Sequence, residues 1–275
     1  MKLFVTGGSS PLGDVVLPKL CERHQVTALG RSDAAIQRLR ASPVTIVRGS
    51  LEERDKWARW AQASECTVHM AGIRLVRHVL DTIDSEHPLT IIGSASARVT
   101  VHPSSSELQA IEHEILHKRP HATVLLRPTM IYGSPRDRNV RLLVSMLRRL
   151  PIAPKVVGGG LLQPVLADDV ADAVLTTLGS PEFVLADIGG PAPVRLGEIL
   201  GLLAFLLKKP VLPIPIPITA LSLFASLVSK LVPSKVLHAV AMTRHDRVVA
   251  NAEPILGRPA TPLEVGLKQA LDRYM

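Results

Sequence analysis

The residues best placed for chemistry come first in the chain. Lys2-Leu3-Phe4-Val5 is a short β run that breaks into Thr6-Gly7-Gly8-Ser9-Ser10-Pro11-Leu12-Gly13, and an apolar-periodic helix follows with Val15, Val16 and Leu20. A strand, a turn of small residues and a helix N-terminus together aim free backbone N–H groups and the positive end of a helix dipole at one spot, which suits an anion. Gly7 allows the tight turn and Gly13 a close approach of helix to strand. Ser10 stands where the dinucleotide fingerprint G-x-x-G-x-x-G carries its middle glycine; a serine there suits an N-cap, with Pro11 preset for the first helical turn. Placed after a first strand, this turn reads as a dinucleotide site.

The second strand ends Thr27-Ala28-Leu29-Gly30-Arg31-Ser32. A carboxylate at that end would grip the ribose 2′-OH of NAD, whereas Arg31 with Ser32 beside it suits a 2′-phosphate. The expected cofactor is therefore NADP, with NAD left open by the nearby Asp33.

These residues need a scaffold, and the chain supplies one. Strand-like runs at 2–6, 25–30, 44–48, 66–70, 89–93 and 122–127 alternate with helical periods at 11–22, 33–40, 52–63, 73–86 and 105–118. Alternation at this spacing means βαβ units, a parallel sheet covered on both faces, and ligands at the carboxyl ends of the strands. After Pro128 the texture changes: a helix at 137–150, Gly158-Gly159-Gly160, a strand near 163–166, a helix opened by Asp168-Asp169, a strand at 183–188, and helices at 195–207 and 262–273. The expected fold is α/β, a doubly wound parallel sheet (Rossmann) in residues 1–133, with a smaller α+β substrate lobe in 134–275 interleaved with it and a cleft between them.

Composition narrows the classes. The 275 residues are 47% hydrophobic, which excludes disorder. The net charge of +8 is spread as single arginines and short pairs, and aromatic residues are only 3%, so stacking platforms for nucleic acid are scarce. A basic rim around a site for a phosphorylated ligand explains the charge as well. Two cysteines, Cys21 and Cys66, make neither a disulfide framework nor a metal cluster, and a first strand starting at residue 2 leaves no room for a cleavable signal; a cytoplasmic location is expected. Residues 211–229 carry no charge, but Pro213, Pro215 and Pro217 leave too few continuous helical residues for a transmembrane span, so a buried or interfacial helix near Ile218–Leu231 is expected.

Several further elements fall in a familiar order. With the opening TGGSSPLG they are Arg48-Gly49-Ser50-Leu51, Val68-His69-Met70-Ala71-Gly72, Leu126-Arg127-Pro128-Thr129-Met130-Ile131-Tyr132-Gly133, Gln163-Pro164-Val165-Leu166-Ala167-Asp168-Asp169-Val170 and Asn251–Leu267. Together they resemble the extended and atypical short-chain dehydrogenase/reductase superfamily, most closely NAD-dependent epimerase/dehydratases and nucleoside-diphosphate-sugar epimerases, over nearly the whole chain. The resemblance implies that Ser9, Ser10, Pro11 and Leu12 lie against the pyrophosphate, Ser50 and Leu51 near the adenine, Met70, Ala71 and Gly72 along the cofactor, and Pro128, Thr129 and Met130 near the nicotinamide. It further implies a hydrogen bond from Ser94 or Ser96 to a ligand oxygen, and ligand contacts for Arg136, Arg138 and Asn139, where arginine suits a bidentate grip on phosphate. Packing at strand ends, or a solvated helix face, is the alternative for each. The implied partner is a small-molecule substrate, nucleotide-sugar-like or otherwise polar and open to carrying phosphate; a homodimer is compatible.

The departure from the superfamily lies in the acid/base pair. Its members move a hydroxyl proton with a Tyr whose pKa is lowered by a Lys four residues on. Only two tyrosines occur here, Tyr132 and Tyr274, and the family spacing back from Arg127-Pro128 puts Ser105 and Gln109 in the Tyr and Lys places. Serine needs an adjacent base and glutamine cannot ionise. His69 and His102 are the titratable candidates for another acid, although His69 reads more readily as a packed strand histidine. His113 and His117 share a helix face but lack a third ligand, so no metal is expected. Two functions remain in view: NAD(P)-dependent hydride transfer without the usual pair, or a non-catalytic NADP-binding sensor or assembly protein.

Overall fold

A computed structural model describes residues 1–98, 104–218, 220, 246, 248–249 and 252–274. Seven strands form one parallel sheet: β1 (Lys2–Thr6), β2 (Gln25–Gly30), β3 (Thr45–Arg48), β4 (Cys66–His69), β5 (Leu89–Ile92), β6 (Thr123–Pro128) and β11 (Phe183–Ile188), in the order β11-β6-β5-β4-β1-β2-β3. The order reverses between β1 and β4, the switch point at which such sheets open a crevice.

Side chains alternate across the sheet with the period of two that strands impose. Leu3 and Val5 face one side, packed with Val16 and Leu20 of α1 (Gly13–Cys21) and Leu39 of α2 (Asp33–Leu39). Phe4 faces the other, with Trp57 of α3 (Arg54–Gln62), Val76 and Val79 of α4 (Val76–Leu80), and Ile111 and Ile115 of α5 (Ser105–Lys118). The rings of Phe4 and Trp57 stack at 5.6 Å. Trp57 is fully buried and its indole N–H donates to the Leu51 carbonyl at 3.2 Å, so core packing also fixes the loop after β3.

The strand at 183–188 joins this sheet beside β6, making seven strands where the alternation up to residue 127 predicts six. The helix α7 (Ala167–Thr177) likewise packs its Val170 and Val174 against α1. The remaining described elements surround a second core: α6 (Val140–Arg149), β8 (Ala153–Val157), α8 (Leu196–Leu206), β13 (Val211–Pro217) and the helix Leu263–Arg273. The two-residue strands β7 (Ile131–Tyr132) and β10 (Val165–Leu166) pair between the two cores, and β9 (Leu161–Leu162) pairs with β12 (Val194–Arg195) beside the second.

One element differs from expectation. The helix expected over 73–86 is a 3₁₀ turn at Ile73–Leu75 followed by α4, which stops at Leu80. Asp81, Thr82, Asp84 and Ser85 compete for backbone hydrogen bonds, and Pro88 disfavours helix in the residue before it. The Arg119 guanidinium then clamps this loop through the carbonyls of Asp84 and His87. The proline-rich stretch is an extended strand paired in parallel with β8. His102 and nearly all of the helix expected near Ile218–Leu231 lie outside the described residues.

Candidate functional site

A groove of about 850 Å³ opens at the carboxyl ends of β1, β2, β3 and β4. Gly7 forms its floor at φ +74°, and a Cβ there would overlap the backbone of Met70 and Ala71, so both the conformation and the space require glycine. Gly13 allows the helix to approach the turn, since a Cβ would run into the Gly8 carbonyl. Ser10 N donates to the Gly7 carbonyl at 2.9 Å, and the Ser10 hydroxyl accepts from Gly13 N at 3.1 Å. Ser10 thus caps the entry turn, although regular helix begins at Gly13.

His69, at the end of β4, is fully buried. Its Nε2 lies 3.0 Å from the Gly72 carbonyl, which can only accept, so the ring hydrogen sits on Nε2. Nδ1 then accepts from the Thr6 hydroxyl at 2.8 Å. Burial pushes its pKa down to about 4, so the ring is neutral and fully engaged in tying β1 to the β4 loop.

Five arginines line the groove. Arg31 and Arg38 come from the end of β2 and from α2, and Arg136, Arg138 and Arg141 from the opposite side. The Ser32 hydroxyl is the N-cap of α2, accepting from Ala35 N at 3.3 Å, and Asp33 is turned to Arg48 at 2.9 Å. Arg136 reaches across the two units. It grips Asp14 at 2.8 and 2.5 Å and donates to the carbonyls of Ser9 and Ser10 at 2.9 and 3.2 Å.

A chamber of about 480 Å³ adjoins the groove, sharing Ser10, Pro11, Met70 and Arg138 with it. Ser94, Ser96, Ser104, Asp137 and Asn139 bring polar atoms to its wall. The Ser94 hydroxyl accepts from Ser96 N at 3.2 Å, which leaves its own hydrogen for another acceptor. Asp137 collects the N–H groups of Gly133, Asn139 and Arg141 at 2.9–3.2 Å, and burial pushes its pKa up against those bonds.

Of the residues read from sequence, Gly7, Ser9, Ser10, Pro11, Arg31, Ser50, Leu51, Met70, Ala71, Arg136 and Arg138 line the groove, and Leu12, Gly72, Ser94 and Asn139 line the chamber. Pro128, Thr129 and Met130 line neither: Pro128 is buried, the Thr129 hydroxyl donates to the Gln163 carbonyl, and Met130 packs on the second core. Ser105 and Gln109 both donate to the Ala97 carbonyl, at 3.0 and 2.7 Å. Neither tyrosine reaches the chamber. Tyr132 is buried against Gly266, and the Tyr274 hydroxyl donates to Asp137 and accepts from Gly133 N. Sequence reasoning missed Arg38, Arg141 and Asp137. Arg38 could have been found as a second cation within two helical turns of Arg31, and Asp137 as the Asp two residues before Asn139 at a helix start. Among the described residues no group of three His, Cys, Asp or Glu side chains is placed to hold a metal ion.

No protein-family profile matches the chain. It is 28% identical over 185 residues to a 4-hydroxy-2-methyl-3-oxo-4-farnesyl-3,4-dihydroquinoline-1-oxide ketoreductase of Stigmatella aurantiaca, a match spanning 54% of this chain and 55% of that protein. UDP-glucose 4-epimerase of Thermus thermophilus, solved in complex with NAD, superposes with a TM-score of 0.71 over 100% of this chain and 99% of its own, at 17% identity. An NADPH-dependent quinone oxidoreductase of Escherichia coli, complexed with NADPH, gives 0.71 over 98% and 99%, also at 17% identity. The chain has the α/β fold of these two structures, a parallel seven-stranded sheet between helices.

Proposed function

We propose that the groove holds NADP(H), and that any hydride leaving it goes to a small polar molecule in the adjoining chamber without a tyrosine–lysine relay. The observation that carries the reading is the pairing of Arg31 with Arg38 in the groove while Asp33, the carboxylate that would favour a ribose 2′-OH, is held by Arg48. Two guanidinium groups suit a 2′-phosphate and gain nothing from a free hydroxyl. Gly7, Ser9 and Ser10 would face the pyrophosphate with open backbone N–H groups, and Met70 and Ala71 would lie along the cofactor. Bound there, the nicotinamide would supply a hydride. The Thermus epimerase with NAD and the E. coli oxidoreductase with NADPH support a nicotinamide dinucleotide in this fold, and the Stigmatella ketoreductase supports a reductase.

The chain's own residues would then orient the acceptor. Ser94 has a hydroxyl hydrogen to offer a carbonyl oxygen, and Arg138, at the junction of groove and chamber, would attract an anionic substituent such as phosphate on a nucleotide-sugar-like substrate. Ser105 and Gln109, in the places of the usual Tyr and Lys, do not ionise near neutral pH and spend their hydrogens on the Ala97 carbonyl. This favours a second reading, a cofactor-holding sensor or assembly protein without turnover. A melting scan tests the shared claim: NADPH should raise the melting temperature more than NADH does, because a ligand confined to the native state stabilises it by roughly 2.7 kcal/mol at a hundredfold excess over its dissociation constant. No shift with either dinucleotide would remove the reading.

A further inference from the structure

We infer that the face built by α8, β8 and β13 is a peripheral docking surface for an anionic lipid bilayer. Several large apolar side chains of the described residues are exposed there. Phe205 is 72% exposed and Ile214 67%, with Ile152, Val157 and Val211 also exposed. Along the strand pair Val211 lies opposite Ala153, next to Ile152, and Pro217 opposite Val157, with a register shift between Val211 and Pro215. Between α8 and β13 lies an open groove of about 730 Å³ with Gly197, Gly201, Val211 and Pro213 on its walls. Gly201 is exposed with open space above it, and Phe205 follows one helical turn on, so one stripe of α8 presents an empty floor ending in an unburied ring. Exposed apolar patches of this kind mark interaction sites.

The backbone decides against an added strand. Proline has no N–H, so Pro213, Pro215 and Pro217 deprive β13 of three donors that an added strand would need. An occupant of this face finds carbonyl acceptors and side chains but not the donor ladder that pairs a strand. Charge decides between a second copy and a membrane. Lys155 and Arg195 line the groove and Lys208 is exposed three residues after Phe205. Glu198 on the groove wall accepts from Arg195 N at 2.6 Å and keeps its charge, so these residues set three cations against one carboxylate. A two-fold copy would set these cations against themselves, whereas anionic headgroups complement them and hydrocarbon takes the apolar side chains. The uncharged sequence 211–229 begins in this strand, and the chain carries a net +8.

The test is flotation of the full chain with phosphatidylcholine vesicles and with vesicles of phosphatidylcholine and phosphatidylglycerol. The protein should float with the anionic vesicles, less so at high salt. Phe205→Ser/Ile214→Ser and Lys155→Glu/Lys208→Glu should each weaken binding by about tenfold or more, with melting temperatures near the wild type because all four side chains are exposed. Failure to float with anionic vesicles, or flotation untouched by both pairs of substitutions, would overturn the assignment. A dimer in sedimentation that Phe205→Ser/Ile214→Ser splits, with no vesicle binding, would give the face to a second copy instead.

Discussion

Ser105 and Gln109 stand one helical turn apart on α5 and donate to a single acceptor, the carbonyl oxygen of Ala97, at 3.0 and 2.7 Å. The pair pins the start of α5 to the segment that leaves β5, and Ser105 is buried in doing so. Side chains at these two positions therefore serve a backbone group.

The first prediction concerns that pair. Ser105→Ala or Gln109→Ala alone leaves the carbonyl one donor and should cost about 1 kcal/mol, a drop of roughly 2–4 °C in melting temperature for a chain of this size. Removing both leaves the acceptor unpaired, and the double variant should lose more than the sum of the two single changes. Thermal melts of the three variants check this. NADPH affinity should be unchanged in all three, since neither residue lines the groove.

A second prediction follows from the Arg136 crossing. Arg136→Ala removes the grip on Asp14 and on the two carbonyls of the phosphate turn, so the turn loses its support from the second unit. Dinucleotide affinity should fall by about three- to tenfold with a modest loss of stability. Arg136→Lys should restore it only in part, because an ammonium cannot reproduce the two-nitrogen grip of Nε and Nη2 on the Asp14 carboxylate. Titration calorimetry of the two variants reads both outcomes.

The glycine turn gives a sharper result. Gly7→Val places a branched side chain in a left-handed backbone conformation and against the end of β4, and Gly13→Val drives a side chain into the Gly8 carbonyl. Either should abolish dinucleotide binding and destabilise the fold by several kcal/mol. A well-folded Gly7→Val protein that kept its affinity would place the cofactor elsewhere.

His69 makes stability depend on pH. Its folded pKa of about 4 lies below the ordinary 6.5, so the unfolded chain binds the extra proton between those values. Stability is fully present above about pH 6.5 and is lost as pH falls towards 4, by about 3 kcal/mol in the limit. Urea unfolding across that range should show a steeper loss in the wild type than in His69→Asn, and identical slopes would mean that the ring is not held neutral.

The sheet was legible because buried parallel strands are short apolar runs and their helices carry a clear period; Leu3, Phe4 and Val5 announce both faces at once. The place of the strand at 183–188 was not, since nothing in Phe183–Ile188 says which edge it joins. The two-residue strands β7, β9, β10 and β12 are too short for any pattern. Gly7 and Gly13 were legible because the tight turn leaves no room for a side chain at either position, and Ser10 because its hydroxyl caps that turn. Arg38 and Arg141 were hidden by looking like solvated helix faces, and only the fold turns them toward one groove. The engagement of Asp33 by Arg48 joins residues on different elements, which spacing along the chain cannot reveal.

The most direct measurement is the ratio of dissociation constants for NADPH and NADH, taken by titration in the wild type and in Arg31→Ala/Arg38→Ala. The account predicts that the wild type prefers NADPH by about tenfold or more, equivalent to about 1.4 kcal/mol, and that the double substitution removes the preference while leaving NADH affinity nearly unchanged. An equal or reversed preference in the wild type, or a preference that survives the loss of both arginines, would contradict it.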